Sequence, residues 1–492
     1  MGHITPRPCD EQILFLPGGN TLFGRKLEAL NVKLGHTILS QLKLYLETPV
    51  EAAPLAVFRI LFGGMMLFGM LRFWSYGWID KLYVRPQFFF SYYGFDWIKP
   101  IGNYTYLVFA VCAVAAAMVA IGYKYRMAII VFFISFTYIE LMDKTTYLNH
   151  YYFISILAFL MIFLPANAYY SVDALQHPRK SFQKIPAWTI NSIKWLLCIV
   201  YIYAGLGKLN SDWLLEAMPL KIWLPSKFDV PLLGDFFRFE WVHYAFSWGG
   251  AAYDLFIPFL LLYRKTRPFA FVMVVIFHLM TRVLFPIGMF PYIMIVSSLI
   301  FFDAGVHHTL LRYLDRFLKL GKQRFDTGTI LVYGSTAGNR LKYAVLLVFF
   351  GIQLLLPWRY LAYPGELFWT EEGYRFSWRV MLMEKSGYAQ FKIVDGKTGS
   401  YFYVDNTDFL TPFQEKQMAF QPDFILEYAH FLKDHFKKDG HKHIQVFVES
   451  YVSLNGRLST PMVDPRVDLA AQKESFEHKP WITPFNDVIK GI

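Results

Sequence analysis

Trp195-Leu-Leu-Cys-Ile-Val-Tyr-Ile-Tyr-Ala-Gly-Leu-Gly207, followed directly by Lys208, decides the fold class of this chain. The run is uncharged and apolar, so it reads as a membrane-crossing helix that ends on a lysine. Two readings of that lysine stand at this point. An amine in apolar surroundings loses solvation for its charged form, which makes the neutral base available near neutral pH. Ionisable residues inside membranes are functional hypotheses by default. Alternatively, a lysine at a helix end extends its ammonium to the headgroups and serves as an anchor. Position alone does not separate the two.

Composition extends the membrane reading to the whole chain. Of 492 residues, 55% are hydrophobic, 19% aromatic and only 17% charged, against about a quarter charged in soluble proteins. The net charge of +11 raises the question of nucleic acid, but the basic residues cluster in short loops between apolar runs. That pattern sets membrane orientation, so no nucleic-acid partner is expected and the lipid bilayer is. Three cysteines, Cys9 in the N-terminal tail and Cys112 and Cys198 in apolar runs, do not make a disulfide framework. No cleavable signal is visible, so the first span is expected to target the chain.

Nine apolar segments are read as spans, at 52–73, 104–121, 127–142, 151–169, 193–209, 249–263, 268–285, 287–302 and 343–357. The third, sixth and eighth are short enough to be tilted or re-entrant. Lys124 and Arg126, Arg179 to Lys184, Arg264 to Arg267, and Arg312 to Arg324 fall on one side if all nine cross, and that side is cytoplasmic. Lys208, residues 143–150 and everything after residue 358 then share the outer face. The expected fold is a mainly α, polytopic membrane bundle with a C-terminal extramembrane α/β domain. Its divisions are a 1–50 cytoplasmic tail, a 51–357 bundle and a 358–492 extracytoplasmic domain.

In the tail, Leu27, Leu30, Leu34, Ile38, Leu42 and Tyr45 recur at helical spacing, which suggests an amphipathic helix lying on the membrane or packed on the bundle. In the last domain, Asp395-Gly396 and Asn455-Gly456 mark hairpin turns beside the strand-like runs 391–394 and 444–448. Residues 424–436 read as an amphipathic helix.

Few polar residues accompany the spans. Asn149 is either a helix cap or a functional amide, and His150 either an interfacial ring or a functional imidazole. His278 and Arg282 lie one turn apart, with Arg282 near a helix end where it can snorkel. Asp254 and Arg59 are each isolated in apolar sequence, which makes an ion pair between them a reasonable structural guess. The sequence carries no phosphate-binding glycine loop, no HExxH and no paired-cysteine metal site, and His307-His308 and His441-Lys-His443 lack further ligands. No metal is expected.

A series of segments in fixed order resembles the vitamin K-dependent γ-glutamyl carboxylases: LAVFRILFG (55–63), DKTTYLNH (143–150), ANAYYSVDAL (166–175), YIYAGLGKLNSDW (201–213), HLMTRVLFPIGMF (278–290), WTEEGYRFSW (369–378), DGKTG (395–399) and DPRVD (464–468). No one segment is diagnostic; the ordered set is specific. The resemblance implies a membrane enzyme, a carbon–carbon lyase, that oxidises vitamin K hydroquinone with O₂ to the epoxide. The alkoxide formed on the way is basic enough to remove a γ-proton from glutamate in a protein or peptide, which CO₂ then carboxylates. It also implies a separate quinone reductase as the source of hydroquinone.

By the same resemblance, Lys208 deprotonates the hydroquinone, while His150 and Asn149 bind or orient glutamate and His150 stabilises its carbanion. Tyr374 falls on a glutamate-binding position, Tyr147 beside the histidine, and His278 on a family histidine. Departures are visible. Gly207 stands where animal enzymes have a second lysine, Tyr147-Leu148 where they have Trp-Asn, and Gly373 where they have leucine. The long C-terminal extension of the animal enzymes is not present here, nor is a cysteine for their bridge. The short form resembles bacterial members, which implies an inner membrane with the site facing the periplasm, or the lumen in a eukaryote. Two further readings remain, a quinol epoxidase without protein carboxylation and a non-enzymatic membrane binding or transport protein.

Overall fold

The structure, a computed structural model, describes residues 40–491 apart from 42, 320, 321 and 335. Most of the amphipathic helix expected over 27–45 therefore lies outside the described residues. The rest is mostly helical, with a sheet near the C-terminus.

Helices α1 (Ala53–Ser75), α2 (Thr105–Ile121), α3 (Tyr125–Leu141) and α4 (Asn149–Phe163) form one half of the bundle. Small residues bring α1 and α2 together. A Cβ on Gly63 would lie 2.4 Å from the Ala120 nitrogen, the kind of close backbone approach by which membrane helices associate. Helices α5 (Ala187–Leu206), α6 (Glu240–Leu262), α7 (Arg267–Leu284) and α8 (Phe290–Ser298) form the other half. Helices α9 (Ala304–Leu318) and α10 (Ala337–Leu355) follow.

Among the described residues, six helices are long and apolar enough to cross a bilayer, or seven if Phe290–Phe301 and Ala304–Leu318, bent by 119°, count as one span. All nine expected segments are helical, but nine full crossings do not follow from length. Three fall short on their own, α3 with 17 residues, α4 with 15 and α8 with 9. The expected 151–169 span stops at Phe163 because Pro165 disfavours helix in the residue before it. Conversely, α6 begins at Glu240, nine residues before the expected 249, through a polar and aromatic stretch.

Two short strands, β1 (Pro49–Glu51) and β2 (Lys184–Pro186), pair antiparallel at the end of the bundle where α1 and α5 begin. The C-terminal sheet has four antiparallel strands, β3 (Lys385–Asp395), β4 (Tyr401–Tyr403), β5 (Ile444–Leu454) and β6 (Thr460–Pro461), in the order β4-β3-β5-β6. Phe391 is in register with Val448. Both expected turns are present. Asn455 and Gly456 have positive φ, 50° and 77°, as a tight hairpin of this type needs. Helices α11 (Pro412–Met418) and α12 (Pro422–Lys438) cover the sheet, and buried Phe424, Ile425, Tyr428 and Leu432 on α12 supply the core.

The domain is bolted to the bundle by polar contacts. Arg457 grips the Asp212 carboxylate with two bonds of 2.7 and 2.8 Å, and Asn455 Nδ2 donates to it at 2.8 Å. Ser91 donates its backbone N–H and its hydroxyl to Glu427, and Lys144 lies 2.9 Å from Asp423 and 3.1 Å from Glu427. Burial opposes the Asp423 charge, but Arg375 and Lys144 outweigh it and hold this carboxyl well below the usual range.

Candidate active site

Lys208 lies two residues past the end of α5, where the chain turns, and is 6% exposed. It is not a headgroup anchor. Its Nζ donates to Asp254 Oδ2 at 2.7 Å and to the Ala204 carbonyl at 3.1 Å, and lies 5.3 Å from the centre of the Trp213 ring. Asp254 therefore pairs with Lys208, not with Arg59 as the sequence suggested. Arg59 instead donates to the Tyr170 carbonyl at 2.6 Å. Packing explains the pairing. A Cβ on Gly205 would lie 2.9 Å from the Leu255 backbone nitrogen, so α5 and α6 touch closely at the turn that carries Asp254.

The sequence around the lysine is what shapes its position. Asn210 Oδ1 accepts from the Trp213 N–H at 2.9 Å, and its Nδ2 donates to the Gly207 carbonyl at 2.8 Å. Trp213 Nε1 donates to the Ser247 carbonyl at 2.8 Å, which fixes the ring over the amine. Gly207 is closely overlaid by its neighbours, since a Cβ there would meet Leu382 Cδ1 at 3.0 Å and Arg379 Cγ at 3.4 Å. The C-terminal domain thus occupies the space into which a side chain at 207 would point.

Lys208 and Asp254 line a cavity of about 450 Å³ bounded by α5, α6, α7 and α8. Its wall is almost wholly apolar, with Tyr253 stacked on Phe277 at 3.9 Å between ring centres. His278 is on the same wall, 1% exposed, with Nε2 3.2 Å from the Tyr201 hydroxyl and Nδ1 without a partner among the described residues. Arg282, one turn on, is exposed. The rim residues Gly249 and Ile276 are also exposed, so the cavity opens between helices on the lipid side. A space of this size falls within the roughly 300–1,000 Å³ of pockets that take drug-sized ligands.

His150 lines a different and smaller cavity of about 190 Å³, between α1, α3, α4 and the 286–289 turn. The Phe290 ring lies between the two histidines. Phe290 lies 5.9 Å from the His150 ring and 5.7 Å from that of His278, centre to centre. Tyr147 and Asn149 do not reach either cavity. The Tyr147 hydroxyl accepts from the Phe376 N–H at 2.8 Å and donates to Asn149 Oδ1 at 3.1 Å, and Asn149 Nδ2 donates to the Arg379 carbonyl at 3.3 Å. They join the 376–379 segment to the bundle, and Asn149 does not cap its helix. Tyr374 packs against Phe368 with ring centres 6.1 Å apart and faces neither cavity. Beside it, Gly373 has φ of +90° and lies against Tyr360, whose Cα would be 2.8 Å from a Cβ, which accounts for glycine where animal enzymes have leucine.

The structure thus brings Lys208 and His278 together, sets His150 one ring away, and holds Tyr147, Asn149 and Tyr374 at the domain junction. Sequence reasoning missed Trp213, Tyr201 and Tyr253 as lining residues and misassigned Asp254. The YIYAGLGKLNSDW segment already contained Tyr201 and Trp213. Among the described residues no group of three His, Cys, Asp or Glu side chains is placed to hold a metal.

Residues 47–305, just over half the chain, match the HTTM domain family, and residues 338–488 match the lumenal domain of vitamin K-dependent gamma-carboxylase. The chain belongs to the vitamin K-dependent γ-carboxylase family. Both cavities and every lining side chain of Lys208's wall outside Val380 and Met381 fall in the HTTM half, whereas Tyr374 falls in the carboxylase lumenal domain. The carboxylase family thereby accounts for a membrane protein with an attached α/β domain. No solved structure matches the chain.

Proposed function

We propose that the protein is a γ-glutamyl carboxylase that couples oxidation of vitamin K hydroquinone to carboxylation of glutamate in a protein or peptide. The balance is hydroquinone plus O₂ giving epoxide plus water, while a glutamate γ-C–H and CO₂ give the new carboxylate and a proton. The observation that carries this reading is the Lys208 amine facing an aromatic cavity, backed by a single carboxylate. When bound, the hydroquinone would supply the two reducing equivalents for O₂, its flat ring suited to the Tyr253, Phe277 and Trp213 walls. The open rim at Gly249 and Ile276 would let an isoprenoid tail leave toward lipid.

Lys208 acts as the base that accepts the hydroquinone hydroxyl proton. It does so when the proton shared across its 2.7 Å contact resides on Asp254 and the Nζ lone pair faces the cavity. Trp213 holds the amine in place, and His278, fixed by Tyr201, offers a second polar contact for a ring oxygen. His150 serves the glutamate half of the reaction from the adjoining cavity, with Asn149 and Tyr147 holding the domain junction above it. A separate quinone reductase returns the epoxide to hydroquinone.

The decisive assay supplies reduced vitamin K, O₂, labelled bicarbonate and a Glu peptide to the protein in lipid. Epoxide together with fixed label is the expected result. Epoxide without label would mean a quinol epoxidase that does not carboxylate protein, and neither product would mean a non-enzymatic binding or transport protein. All nine apolar segments are taken to cross, which puts Lys208, His150 and residues 358–492 on the periplasmic side of a bacterial inner membrane. A reporter after Ile492 should then lie outside the cytoplasm and one at Lys265 inside; the same side for both overturns this arrangement.

A further inference from the structure

The His150 cavity carries an unanswered charge. Two charged side chains, Arg72 and Glu140, are among its lining residues. Arg72 is near the outer end of α1, and its guanidinium lies 5.0 Å from the Trp78 ring and 5.8 Å from Tyr76. It has no carboxylate partner among the described residues, and its Nε is buried without a hydrogen bond. Glu140 is 5% exposed, accepts the Ser155 hydroxyl at one oxygen, and has no partner at the other among the described residues.

Gly288 shows where the cavity points. Its φ is +62°, and a Cβ built there would lie 3.9 Å from Arg72 Nη2 and 3.9 Å from His150 Nε2. Two nitrogen atoms from different helices thus lie within ordinary contact distance of the same point, beside a turn whose positive φ favours glycine. A guanidinium and an imidazole converging in an apolar pocket suit a carboxylate. The pocket opens near the outer ends of α1 and α4, where a peptide side chain can enter. Ile287 lines both this cavity and that of Lys208, and Phe290 lies between their histidines.

The geometry points to Arg72 as the anchor of the γ-carboxylate of a glutamyl side chain bound in this cavity. This assignment rests on the carboxylase reading above and adds a binding residue to it. Removing the γ-proton places a second negative charge on the same carboxylate, so a fixed cation there stabilises the carbanion more than the bound peptide. Glu140, the acid on this wall, contributes nothing attractive to an anion in its ionised form.

The test is equilibrium binding of a fluorescent Glu pentapeptide and its Gln counterpart to the full chain in nanodiscs, without hydroquinone. Wild type should prefer Glu by tenfold or more. Arg72→Gln should reduce that preference below twofold, Arg72→Lys should restore part of it, and the thermal midpoint should stay within a few degrees. Glu140→Gln should bind the Glu peptide as tightly as wild type or more tightly. No Glu preference in wild type, a preference kept by Arg72→Gln, or weaker binding by Glu140→Gln would each overturn the assignment. An Arg72-dependent preference without label fixation defeats the carboxylase reading alone. Label fixation with an Arg72-independent preference defeats this inference alone.

Discussion

Lys208 and Lys144 are both buried lysines near the C-terminal domain, yet their surroundings differ in kind. Lys144 is enclosed by two carboxylates, Asp423 and Glu427, with the Phe424 ring 4.8 Å away. Burial works against its charge, but the two acids outweigh it and hold the amine above its ordinary range. Lys208 has one carboxylate, one carbonyl and a ring, with a cavity in front of it. The number of acids and the presence of space separate an amine that fastens two domains from the one proposed above to take up a proton.

The comparison is broken most directly at Lys208. Lys208→Ala should lower epoxide formation and carboxylation together by at least about a hundredfold, with the protein still folded. Lys208→Arg should fail equally, because a guanidinium stays protonated. Near-normal epoxide yield from the arginine variant would remove this residue from the chemistry.

Lys144→Met should do the reverse. Two acids would be left buried without their cation, at a cost of about 3 kcal/mol in stability, read as a lower thermal midpoint. Epoxide formed per folded molecule should stay within a few-fold of wild type. A folded Lys144→Met protein with no epoxide would erase the distinction between the two lysines.

His150→Ala sharpens the comparison by testing the second cavity. Carboxylation should fall about tenfold more than epoxidation, and equal losses would argue for a shared contact with the quinone.

The smallest effect belongs to Glu474, a half-buried acid near the Lys144 network. Burial, and then Glu427, pushes its carboxyl up from 4.5 to about 7. Because the folded value is the raised one, its contribution to stability is full below pH 4.5 and is lost as pH rises through about 7. Glu474→Gln should flatten the pH dependence of stability over that window by less than about 2 kcal/mol after solvent screening, read from thermal melts at each pH. An unchanged slope would mean that the acid does not report on the network.

Much of this was legible in the sequence, for identifiable reasons. Apolar runs give helices because a bilayer leaves few alternatives, and Asn455-Gly456 encodes its turn through backbone conformations that few residues adopt. Lys208 stood out by its charge in an apolar run. The partner did not, because Asp254 and Arg59 look equally isolated along the chain. Only the α5–α6 contact at Gly205 chooses between them. The separation of His150 from Lys208 was equally hidden, since it depends on where one phenylalanine, Phe290, comes to rest. Helix ends moved where Pro165 stopped a run early or where aromatic residues prolonged one.

Asp212 is four residues from Lys208 in the chain and is held by Arg457 and Asn455 of the sheet. The turn that carries the amine is thus tethered twice, to a membrane helix on one side and to an extramembrane sheet on the other. The position of the amine therefore depends on the sheet as well as on the helix that carries Asp254.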